Sequence, residues 1–150
     1  MKSLKAILII TSVLFLNACK KEGVSPSNYE VSKQQITSMM LQTAEDWSKG
    51  DLEAFMNGYI KSDSLKFVGS GGITYGWQQT LENYKKGYPD TAHMGKFTST
   101  IVSMKRLSAK YYFVIGKWFL KRTIGDVSGY YTLLIRKING KWVVVADHSS

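Results

Sequence analysis

FTSTIVSMKRLSAKYYFVIGKWFLKRTIGDVSGYYTLLIRKINGKWVVVADHSS, residues 97–150, decides the fold of this chain. Three turn signals divide it: Ser108-Ala109, the run Thr123-Ile124-Gly125-Asp126, and Asn139-Gly140. The last is a strong two-residue hairpin signal, because both central residues of such a turn need positive φ. Four strands therefore follow one another, at residues 97–107, 110–122, 128–138 and 141–148. They are rich in Tyr, Phe, Val, Ile, Trp and Thr, which suit a pleated, half-buried surface. The expectation is one curved antiparallel sheet, with the preceding segments covering one of its faces.

Moving outward toward the N-terminus, Trp77, Leu81 and Tyr84 share one face of a helix that ends at Lys85-Lys86-Gly87, with Pro89 beyond. His93 falls in the loop leading into the long strands. Before that helix, residues 65–69 and 73–75 read as a short hairpin turned by Ser70-Gly71-Gly72. Further back, Leu52, Phe55, Met56 and Tyr59 mark a helix whose N-cap is Asp51, and Gly50 closes the helix before it. That first helix opens at Ser32, three residues before Gln35 in a capping-box pattern, and buries Ile36, Met39, Met40, Thr43, Ala44 and Trp47. Residues 20–31 are polar, with Gly23, Ser25 and Pro26, and read as a flexible tether.

The first residues belong to a targeting signal. Lys2 and Lys5 make a basic start, residues 6–16 are an apolar run too short to span a bilayer, and Leu16-Asn17-Ala18-Cys19 follows. This resembles a bacterial lipoprotein signal, in which the cysteine thiol is acylated and becomes the new N-terminus. The organisation expected is a signal peptide at 1–18, lipidated Cys19 with a tether over 19–31, and one domain over 32–150. The alternative is a soluble secreted protein cut near Ala18 with an incidental cysteine. Against it stands the liability of an odd free thiol in an oxidising compartment, since Cys19 is the chain's single cysteine. The location implied is the bacterial cell envelope, with the membrane as partner through the lipid on Cys19.

The formal charge of +9 becomes +7 once Lys2 and Lys5 leave, with 18 basic residues against 11 acidic ones. The cations are scattered at the ends of elements, so they read as solvated charge with weak attraction to an anionic bilayer, and not as a nucleic-acid footprint.

Helix, helix, short hairpin, helix and four long antiparallel strands together resemble the cone-shaped α+β fold of the nuclear transport factor 2-like superfamily. That superfamily includes SnoaL-like cyclases and ketosteroid isomerases. The residues carrying the likeness are WSKGDLEAF (47–55), GITYGW (72–77), Gly116-Lys117-Trp118 and NGKWVVVADHSS (139–150). The resemblance implies a sheet wrapped around the helices, with a pocket at the open end of the cone where function resides. At the positions of the ketosteroid isomerase base, oxyanion-hole acid and helix tyrosine stand Phe67, Leu133 and Thr43, so that mechanism is disfavoured. The kinase association domains of the same fold carry arginines where this chain has Leu133 and Ser149.

What remains is aromatic. Trp47, Tyr59, Phe67, Trp77, Tyr84, Tyr112, Trp118 and Tyr131 come from elements facing the cone, and with Leu133 they suggest a pocket for a small hydrophobic molecule. Taken singly, each is more readily read as core filling than as a ligand contact. Asp147 and His148 are the candidate acid/base residues if the protein is an enzyme, and parity from Leu133 and Ile135 turns Asp147 and Ser149 inward and His148 outward. The competing reading is a frayed last strand with Asp147 and His148 in solvent. No metal or other cofactor is implied: His93 and His148 have no ligand-spaced partner, and Cys19 is committed to the anchor. Phe113, Ile115 and Phe119 lie on the strand face opposite Trp118, which makes the outer side of the sheet a candidate homodimer surface.

Overall fold

The computed structural model describes residues 26–150. The leader, Cys19 and most of the expected tether lie outside the described residues.

Four helices and six strands follow one another: α1 (Pro26–Ser48), α2 (Leu52–Met56), β1 (Lys66–Gly69), β2 (Gly72–Tyr75), α3 (Trp77–Gly87), α4 (Thr91–Met94), β3 (Lys96–Ser108), β4 (Tyr111–Lys121), β5 (Val127–Ile138) and β6 (Lys141–Ser149). The strands make one curved, unclosed sheet in the order β2-β1-β6-β5-β4-β3, antiparallel except where β1 lies parallel to β6. This is the expected α+β architecture. The Asn139-Gly140 turn closes the last hairpin with both residues at positive φ, 48° and 81°.

Three local expectations are corrected. α1 begins at Pro26, so the tether does not reach Val31. Proline suits a first helical turn, where its missing N–H has no intrahelical partner in any case. Ser32 therefore sits inside the helix, and its hydroxyl donates back to the Asn28 carbonyl at 2.8 Å. His93, assigned to a loop, lies in the one-turn α4. The Asp90 carboxylate caps that turn by accepting from the His93 amide at 2.9 Å, and the same oxygen lies 2.7 Å from His93 Nδ1. Ile115 is half-buried, whereas Phe113 and Phe119 are exposed on the outer sheet face as expected.

The core fills the space between the α1 stripe of Ile36, Met40, Ala44 and Trp47 and the inward side chains of β4 to β6, among them Val114, Leu120, Ile135 and Val144. One irregularity in β6 positions everything that follows. Leu134 pairs with Ala146 but Ile135 pairs with Val144, so Val145 is an extra residue, a β-bulge. Trp142 and Val144 point inward before it; after it the parity is reset, and Asp147 points inward in place of His148.

Candidate functional site

A cavity of about 560 Å³ opens between the helices and the concave face of the sheet. Of the side chains expected there, Trp47, Tyr59, Phe67, Tyr84, Trp118, Tyr131, Leu133, Asp147 and Ser149 line it. Trp77 and Tyr112 do not. Trp77 starts α3, and its indole N–H is spent on the Met56 carbonyl at 2.8 Å. Tyr112 is inward but fully buried away from the cavity, with its ring between Trp142 and Tyr29.

The aromatic wall is one packed assembly. Trp47 meets Phe55, Tyr84, Tyr88 and Phe97 edge to face, with centroids 4.7–5.9 Å apart, and Phe67 meets Tyr84 in the same way at 5.5 Å. Such geometry sets the positive ring edge against the negative face and holds the rings in place. Phe55, Tyr88, Phe97 and Ser99 also line the cavity, beyond the residues expected from the sequence. The signal for Phe97 and Ser99 was alternation along β3, on the inward parity that pairs Phe97 with Leu120. Tyr88 carries no such signal, since it stands between Gly87 and Pro89 at a helix end.

The polar part of the wall is Asp147. It pairs with Phe67 of β1 on one side and with Leu133 of β5 on the other. The two positions that lack the isomerase carboxylates therefore flank a strand that carries one. Asp147 is only 4% exposed, and the reading of it as a solvated group on a frayed end is corrected: β6 runs to Ser149, and Ser150 exchanges both backbone hydrogen bonds with Tyr130. His148 stays on the solvent side. Tyr59 Oη donates to Asp147 Oδ2 and Ser149 Oγ donates to Oδ1, each at 2.7 Å. Tyr59 is placed for this by a further strand-like contact, in which the Gly58 carbonyl accepts from the Val144 amide and the Ile60 amide donates to the Val144 carbonyl.

Asp147 makes no ion pair among the described residues. Burial pushes its carboxyl up to about 6, with the Ser149 and Tyr59 hydroxyls pulling it back part of the way. Burial also raises Tyr59 and Tyr84 well above the ordinary phenol range, and the charge of Asp147 adds to both, so they act as neutral donors. Deeper along the sheet, Tyr131 and Ser99 share a hydrogen bond of 2.8 Å. The Tyr131 ring folds over Gly116, where any Cβ would collide with its hydroxyl, so glycine is required there. Among the described residues no group of three His, Cys, Asp or Glu side chains converges as a metal site would need.

A curved sheet closing over helices around a pocket with one buried carboxylate defines a class, the cone-shaped α+β domains. No family model and no curated protein matches the chain. Among solved structures, a nuclear transport factor 2-like protein of unknown function from Shewanella oneidensis is 39% identical, covers 79% of this chain and 98% of its own, and superposes with a TM-score of 0.76. The chain belongs to the nuclear transport factor 2-like family. A nuclear transport factor 2-like superfamily protein from Salmonella enterica (20% identity, 81% of this chain, 92% of that one, TM-score 0.64) shares the fold. So does a ketosteroid isomerase-like protein from Erwinia carotovora (19%, 78%, 93%, 0.60).

Proposed function

We propose that this protein binds a small, mainly hydrophobic molecule in the aromatic-lined cavity and orients it by one polar contact to Asp147. The observation that carries the reading is a buried carboxylate, free of any ion pair among the described residues, set in the wall of a 560 Å³ apolar hollow. An apolar cavity with a few placed polar groups is the usual form of a small-molecule site. Because the Tyr59 and Ser149 hydroxyls already donate to Asp147, the complementary ligand presents a further donor, a hydroxyl, amide or amine, to the remaining lone pairs. A thermal-shift screen of apolar alcohols, phenols, amides and amines against residues 26–150 tests this. At 100-fold excess over Kd, a true ligand adds about 2.7 kcal/mol, a rise in Tm of several degrees. Hydrocarbons of the same size without a donor are expected to shift Tm less, and failure of every compound in the screen would refute the reading.

A second reading, that Asp147 acts as a general base on a bound carbon acid, is favoured by one observation: a carboxyl raised to about 6 is poised near neutral pH, where proton transfer is most efficient.

The cell-envelope placement is likewise a proposal, supported by the apolar run ending at Ala18-Cys19. Cells fed an alkyne-tagged fatty acid are expected to label the wild-type chain and leave Cys19→Ala unlabelled; equal labelling of both would sink the anchor.

A further inference from the structure

The outer face of the sheet, which plays no part in the cavity, is both apolar and uniformly basic. Alternation along the strands places Lys66, Lys96, Lys105, Lys117, Lys121 and Arg136 on it, all exposed. Between them stand Phe113, Phe119 and Tyr130, and at the far edge of the same face, on β2, Ile73 and Tyr75, all among the exposed large apolar residues. No acidic side chain among the described residues shares this face. Eight of the described acidic residues precede β3, Asp126 sits in the β4–β5 turn, and Asp147 points inward. The chain even places like charges opposite one another, since Lys96 pairs with Lys121 across β3 and β4. Such a pair is destabilising unless something anionic neutralises it.

We propose that this face docks on an anionic lipid bilayer. Rings set among lysines suit the headgroup boundary, where aromatic and aliphatic groups enter the interface while ammonium groups meet lipid phosphates. Lys117 already lies over the Tyr130 ring at 5.6 Å and Arg136 over Tyr111 at 5.4 Å, so ring and cation reach outward together. A second copy of the chain fits the same surface poorly, because face-to-face packing would set six cations against six with no acid between them. Docking here leaves the helices and cavity on the opposite side of the sheet.

Vesicle co-sedimentation of residues 26–150 tests the proposal without any anchor. The Shewanella chain, 98% of which is matched by 79% of this one, is a folded protein of about this extent. Binding is expected to phosphatidylglycerol vesicles and not to phosphatidylcholine vesicles, and to weaken as salt rises. The triple variant Lys105→Gln, Lys117→Gln, Lys121→Gln is expected to bind on the order of 100-fold more weakly. Lys33→Gln, Lys49→Gln, Lys86→Gln, on the helical side, serves as the charge-matched control. Phe113→Ser with Phe119→Ser is expected to keep low-salt binding but release fully at moderate salt. Equal losses in the two triple variants, equal binding to both vesicle types, a stable dimer through this face, or release from vesicles by duplex DNA would each overturn the proposal.

Discussion

Replacing Trp47 by alanine is expected to lower stability by about 3–5 kcal/mol, the range for emptying a large aromatic from a core. Trp47 is 3% exposed, and its ring is the common neighbour of Phe55, Tyr84, Tyr88 and Phe97, which reach it from α2, α3, the following loop and β3. Its indole N–H also donates to the Met94 carbonyl at 2.9 Å, tying α4 and the entry into β3 to α1. Loss of the ring removes the piece on which four segments converge and leaves a buried carbonyl without its donor. Domains of this size have only about 5–15 kcal/mol in hand, so the variant sits near the edge of folding. Urea denaturation measures the effect. Trp47→Phe restores part of the volume but not the hydrogen bond and is expected to recover roughly half of the loss; an alanine variant within about 1 kcal/mol of wild type would contradict this account of the wall.

The second large effect concerns Asp147→Asn. The folded carboxyl is raised above its unfolded value of 3.8 to about 6, so the native state holds this proton more tightly than the unfolded chain does. Stability from this group is therefore greatest below about pH 4 and is lost as pH rises through 6, by up to ~3 kcal/mol for a shift of about two units. Asparagine has nearly the same shape, and the Tyr59 and Ser149 hydroxyls can turn to satisfy it, so the variant is expected to lose this slope. It should be more stable than wild type at pH 7.5 and no more stable at pH 4, as read by denaturant midpoints at the two values. The gain comes with a functional loss: affinity for the donor-bearing ligand found by the screen falls by tenfold or more. If the protein moves a proton, exchange of the ligand's C–H for deuterium stops even at saturating ligand. A variant with unchanged affinity would place the ligand elsewhere. Stability gained where binding is lost is the usual mark of a strained functional group.

The long strands were readable in the sequence because turn residues and β-branched runs are local signals. The observed β3 to β6 differ from the expected strands by one residue at most ends. The start of α1 was not readable, because Ser32 with Gln35 imitates a capping box while Pro26 is equally able to begin a helix. In the site, alternation identified the inward side of β4 and β5, hence Trp118, Tyr131 and Leu133. It failed for Trp77 and Tyr112, where facing inward is not the same as reaching the hollow, and the difference lies in which neighbours fill the space between. Tyr88 was invisible because a helix end has no period. The environment of Asp147 was the least accessible feature: its burial depends on β1 arriving in parallel beside β6, a long-range pairing with no local trace.

Counting, as much as composition, sets the chemistry of this hollow. Were the bulge at Val145 ironed out with every residue kept, the alternation that turns Trp142 and Val144 inward would run on through Ala146 to His148, leaving a methyl group opposite Leu133, where the carboxylate now stands, and an imidazole opposite Tyr131. The hollow would exchange its buried carboxylate for an imidazole, which can donate as well as accept, without one residue of the chain being replaced. A single kink in the last strand thus decides which polar side chain this scaffold presents to its interior.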